Sequence, residues 1–135
     1  MRDFRLSFPA NMIAGKSRMD RHDVILLKTY GMPQGARSRE DALTLLVLND
    51  CCPEKCPEWP DYFIEQIAHY IVFVMAPERW LNTAKMQWIE RIFTTFGVAN
   101  SQTEQRLLAR IIELLPFVPT GLTEFAQPHP EHVAF

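Results

Sequence analysis

The chain has 135 residues, formal net charge −2, 47% hydrophobic and 22% charged residues, which is enough to bury roughly two-thirds of its surface without disulfides. That composition excludes a disordered polymer, and the charge balance excludes a global basic field for nucleic acid or anionic lipid. No apolar run approaches the ~20 residues of a membrane span, and the segment after Arg5 is too polar and Pro-broken for a secretory signal.

Residues 1–16 read as an extended N-terminal arm. Within residues 1–37 the basic side chains Arg2, Arg5, Lys16, Arg18, Arg21, Lys28 and Arg37 face only Asp3, Asp20 and Asp23. Such a stretch lies against the acidic remainder of its own fold, stays mobile, or contacts phosphate or an acidic partner.

Residues 17–116 read as a helical bundle domain. Ser17 to Asp20 has capping-box spacing, with Asp in place of the usual Glu, ahead of Val24, Ile25, Leu26 and Leu27; Gly31 supplies a left-handed stop. Ser38 repeats that start before Ala42, Leu43, Leu45, Leu46 and Leu48, with Glu40 and Asp41 at the positive end of the helix dipole. Pro60 at a first helical position opens a third helix running to about Ala76. From Ile67 onward this helix is apolar almost all round, so it is expected at the centre, enclosed by its neighbours.

A fourth helix begins at Asn82 and sets Met86, Ile89, Ile92, Phe93 and Phe96 on one stripe before Gly97. The fifth opens at Ser101 and Glu104 with a full capping box and carries Leu107, Leu108, Ile111, Ile112, Leu114 and Leu115 up to Pro116. No strand-like alternation competes with these patterns. The fold class is all-α: a compact bundle of about five helices around a central apolar one.

Residues 117–135 read as a Pro-rich docking tail. Phe117, Leu122 and Phe125 are costly to leave in water, at roughly 1.5–3 kcal/mol each. The tail therefore docks on its own bundle or on a partner. Trp59 and Trp80 flank the central helix and either staple its ends or anchor an interface; Trp88 reads as core.

The turn from Cys51 through Cys52 to Cys56 and Pro57 is the most unusual local feature. Three cysteines, an odd number in a chain that needs no staples, point to a reducing, cytoplasmic setting. Cys52 and Cys56 have zinc-ligand spacing, and His69, His129 or His132 would have to complete the set. Lys55 beside Cys56 would favour a thiolate. Against both stands a plain reading of small apolar cysteines packed beneath a Pro-rich turn. Glu65 and His69, spaced i, i+4, form a polarised pair, two metal ligands or a hydrogen-bonded structural pair. No Gly-rich phosphate loop and no Ser/His/Asp set stands out, so no cofactor and no catalysis are expected.

Asp23, Val24, Leu27 and Lys28, then Ser38 to Ala42, then Leu46, Leu48, Asn49 and Asp50, then Trp59, Asp61, Phe63, Ile64, Ile67, Ala68 and Tyr70, then Trp88 and Ile89 resemble a family of small bacterial helical proteins. More loosely, the chain is similar to the TerB-like helical fold associated with tellurite resistance and stress response. The likeness covers residues 20–93 and concerns helix starts and core positions. It implies a helical fold and a stress-response accessory role, and it transfers no site residue. The expected function is a non-catalytic protein–protein interaction module, monomeric or homodimeric, with Trp59, Trp80, Phe117, Leu122 and Phe125 as contact candidates. It is not expected to engage nucleic acid or membrane. The alternative is a metal- or thiol-dependent sensor built on the Cys51–Cys56 turn.

Overall fold

The computed structural model describes residues 13–16, 18–75, 81–119 and 122–125, the last two by backbone only. The described chain is mostly helical, as the apolar periodicity requires, with four strands of two residues each. Its contacts divide it into two compact units, Met1–Tyr70 and Ile71–Phe135. Among the described residues no helix is long and apolar enough to cross a membrane.

In the first unit, strand β1 (Arg18–Met19) pairs in parallel with β2 (Glu54–Lys55), Arg18 opposite Glu54 and Met19 opposite Lys55. The Cys56 N–H extends the bridge to the Met19 carbonyl at 2.9 Å. That pairing keeps residues 18–19 extended and moves the first helix start three residues beyond the expected Ser17 cap. Helix α1 (Arg21–Leu26) is capped by Asp20, whose carboxylate accepts from the Asp23 N–H, while Asp23 accepts from the Asp20 N–H. The capping box is thus Asp20 with Asp23.

The expected left-handed stop at Gly31 does not form. The helix widens instead into a π-helical turn, Leu27–Gly31, closed by the Met32 N–H on the Leu27 carbonyl at 2.7 Å. Among the described glycines only Gly35 and Gly97 have positive φ.

Helix α2 (Arg39–Cys51) starts where expected, with Ser38 Oγ accepting from the Asp41 N–H at 3.1 Å. Helix α3 (Glu58–His69) starts two residues before Pro60 and continues as a π-helical segment, Tyr70–Met75. Both α1 and α2 pack on α3. The core between them holds Val24, Leu27, Leu45, Leu48, Trp59, Phe63, Ile64 and Ile67.

The expectation of a third helix apolar and enclosed all round holds only for its first half. Ile67, Ala68, Ile71 and Val72 are buried, but Phe73 and Val74 are 40% and 37% exposed.

In the second unit, α4 (Thr83–Phe93) is capped by Asn82, which accepts from the Lys85 N–H at 2.9 Å. Its apolar stripe ends at Phe93. A hairpin follows, β3 (Thr94–Thr95) against β4 (Val98–Ala99), with Phe96 and Gly97 at φ +53° and +78°. Two consecutive left-handed residues make the turn whose twist suits a two-residue hairpin. Phe96 therefore leaves the helical stripe and stands fully exposed at the tip.

Helix α5 (Gln102–Leu114) starts after Ser101, but its expected capping box is not made. The Ser101 hydroxyl donates to the Glu104 carboxylate and caps no backbone N–H. Leu107, Leu108 and Ile111 are buried, and Leu115 precedes the Pro116 break. A short helix, α6 (Leu122–Phe125), packs on α5 and β4.

Candidate functional site

The residues singled out by sequence go to different places. Cys52 is fully buried, and its thiol donates to the Ile13 and Lys16 carbonyls at 3.7 and 3.6 Å. Cys56 is half-buried and Cys51 exposed. Burial pushes both the Cys52 and Cys56 thiols above their ordinary range, with Cys51 adding to the shift at Cys52 and Glu58 to that at Cys56. Lys55 pulls the Cys52 thiol the other way, but burial outweighs it. Both surroundings disfavour the thiolate at Cys52 and Cys56.

His69 lies at the far end of α3 from Cys56. Eleven residues of helix rise put it about 17 Å from Glu58, so Cys52, Cys56 and His69 are not brought together. His69 Nε2 instead sits 3.3 Å from Glu65 Oε2, each side chain about half exposed. Among the described residues no three His, Cys, Asp or Glu side chains gather around a common point for a metal. His129 and His132 lie outside the described residues.

Of the contact candidates, Trp59 is fully buried. Its indole N–H donates to Asn49 Oδ1 at 3.0 Å, and its ring meets those of Tyr62 and Phe63 at 6.1 and 5.6 Å. It is a core pillar and not a surface anchor, because its one polar atom is already satisfied inside. Trp88 is half-buried and meets Phe93 edge-on. Leu122 is buried against its own unit, whereas Phe117 is 71% exposed. Trp80 and the Phe125 side chain lie outside the described residues.

One concavity in the first unit involves other residues. A groove of about 490 Å³ is lined by Lys28 and Met32 after α1, Pro33 and Gly35 in the loop, and Glu58, Asp61, Tyr62, Glu65 and Gln66 on α3. Its loop wall is held by one long-range bond, the Ala36 N–H donating to Gln66 Oε1 at 2.9 Å. Gly35 makes that approach possible: its φ is +83°, and a Cβ there would lie 2.8 Å from the same oxygen.

Three carboxylates, Glu58, Asp61 and Glu65, recur along the groove at helical spacing, opposed by the single Lys28 ammonium. Lys28 Nζ stands 5.5 Å from the centroid of the Tyr62 ring, a cation–π contact. Tyr62 is 7% exposed, and among the described residues its buried hydroxyl has no hydrogen-bond partner. Burial, with the nearby Asp41 charge, pushes its pKa up to about 12.

The i, i+3, i+7 placement of Glu58, Asp61 and Glu65 is the signal by which sequence inspection would have found this face. Of the lining, Glu65 reads in the sequence only as a partner of His69, and Lys28 and Asp61 only as a basic residue and a family-like position, not as one face. The opposite wall depends on contacts between residues some thirty positions apart.

No protein-family model, curated protein or solved structure matches this chain significantly. The TerB-like resemblance therefore rests on the sequence motifs alone.

Proposed function

We propose that the protein is a non-catalytic helical module that holds a protein partner in the acid-edged groove of its first unit, as a cytoplasmic stress-response accessory of the TerB-like kind. The observation that carries this reading is the groove itself. It is a recess whose loop wall is tied to α3 through Gln66 and Gly35, and its lining combines apolar and charged side chains. That combination suits recognition. The TerB-like spacing of residues 20–93 supports the accessory role.

A photo-crosslinking residue at Pro33, which is exposed on the rim, tests the reading in cells. One protein is expected to be captured from that position and lost when Gly35→Val distorts the wall, with helicity retained by circular dichroism. Capture of the same set from Arg106 in the second unit, or no capture at Pro33, would contradict it.

A further inference from the structure

We propose that residues 13–16 form a strap over the Cys52 thiol that opens on its own, without unfolding of its unit, when the Lys16 ammonium releases Asp23. The inference is independent of the groove and its partner.

The turn after α2 shows what the strap covers. Cys51 and Pro53 are exposed, yet Cys52 between them is fully buried, so the turn runs at the surface and another segment closes over its second cysteine. Main chain lies against the sulfur. The carbonyls of Ile13 and Lys16 accept from the thiol at 3.7 and 3.6 Å, and the Lys16 N–H closes the strap on the Ile13 carbonyl at 3.0 Å. A thiol is a weak donor, so the sulfur itself holds the strap only lightly.

The two ends of the strap are held by unlike means. Ile13 is 1% exposed and holds by burial of its side chain. Lys16 holds by charge: its ammonium donates to both Asp23 oxygens at 2.9 and 2.7 Å, with Asp20 Oδ2 at 3.9 Å, while its side chain stays 45% exposed. An ion pair whose cation half faces water is screened by salt, so this is the end that lets go. Asp23 does not leave with it, because its carboxylate still accepts from the Asp20 N–H. Helix α1 keeps its cap, and the opening stays local.

Closure leaves no room at the sulfur. Cys52 has no exposed surface and two carbonyl oxygens against its thiol, so any group added there has to displace residues 13–16. Opening followed by modification is therefore a one-way step, after which the strap no longer seats.

The test alkylates the intact chain with iodoacetamide, an uncharged reagent. The thiol gives its proton to water, its sulfur displaces iodide, and the carbamidomethyl group stays on Cys52. Peptide mass spectrometry follows Cys52, and the exposed Cys51 supplies the rate of an uncovered thiol in the same chain. Relative to Cys51, Cys52 is expected to react much more slowly, faster as salt rises, and with a far weaker urea dependence than global unfolding. Lys16→Met should speed Cys52 about three- to tenfold and abolish the salt effect. After alkylation of Cys52, hydrogen exchange should quicken at the Lys16 amide, which bonds to the Ile13 carbonyl, and stay unchanged across Gln102–Leu114. Cys52 reacting as fast as Cys51, a rate that follows global unfolding in urea, or no gain from Lys16→Met would overturn the proposal. So would a Lys16 amide that stays protected after alkylation. If Lys16→Met fails to fold, the salt dependence of the unaltered chain decides, and a flat response overturns the proposal.

Discussion

Asp23 and Tyr62 are buried polar residues of the same unit, 4% and 7% exposed, and their surroundings differ in kind. Asp23 accepts from Lys16 Nζ through both oxygens, at 2.9 and 2.7 Å, and from the Asp20 N–H. The pairing with Asp23 holds the Lys16 ammonium above its ordinary pKa, and the Asp23 N–H holds the Asp20 carboxyl below its own. Next to this corner, Cys52 closes the contact with the segment before β1. Around Tyr62 the hydroxyl is unpartnered and three carboxylates line one face. The first is held by its own bonds, whereas burial of the Tyr62 hydroxyl is an uncompensated cost to folding.

The largest expected effect lies on the satisfied side. Asp23→Ala takes the partner from the half-exposed Lys16 ammonium, leaves the Asp20 N–H without its acceptor and removes half of the capping box, so urea denaturation should show a loss of about 2–4 kcal/mol. A loss under half a kcal/mol would mean that this corner is solvated and that the contrast with Tyr62 is overstated.

Next in size is a pH dependence at Tyr62. Its pKa is raised in the folded state to about 12 from 10.0, so the unfolded chain releases this proton first. The associated stability is complete below pH 10 and is lost as pH climbs toward about 12, amounting to about 2–3 kcal/mol. Denaturation at successive alkaline pH values should show this decline, and Tyr62→Phe should flatten it.

Gly35→Ala should cost about 1–2 kcal/mol, since the residue is left-handed and the new methyl displaces Gln66 Oε1 from the Ala36 N–H. Capture at Pro33 should fall with it, because the loop wall moves. The smallest effect has the opposite sign. At neutral pH Tyr62→Phe removes a hydroxyl without a partner and should stabilise the free protein by up to about 1 kcal/mol.

Much of the helical layout was legible because its signals are local. Ser38 and Asn82 cap the helices that follow them, and each does so through a bond to a residue three positions ahead. The misreadings share a different cause. Helix α1 starts after Asp20 because β1, just before it, pairs with a strand far along the chain, and Gly31 lies in a π-helical turn that no local pattern announces. Phe96 fits the α4 stripe by spacing, yet it belongs to a turn governed by Gly97 and the pairing of Thr95 with Val98. Cys52 and Trp59 were singled out for their chemistry and prove to be core, their polar atoms spent on Ile13, Lys16 and Asn49. The groove was hidden in part because Gln66 and Ala36 meet only through tertiary folding, although its acidic edge was written at helical spacing.

The most direct test of the central claim is a nuclear magnetic resonance titration of the intact chain with the purified protein that Pro33 captures. The account predicts shifts concentrated at Lys28, Gly35, Asp61, Tyr62, Glu65 and Gln66, with the resonances of Gln102–Leu114 unmoved. Shifts centred on Gln102–Leu114 or on the Phe96 hairpin, with the α3 face silent, would contradict it.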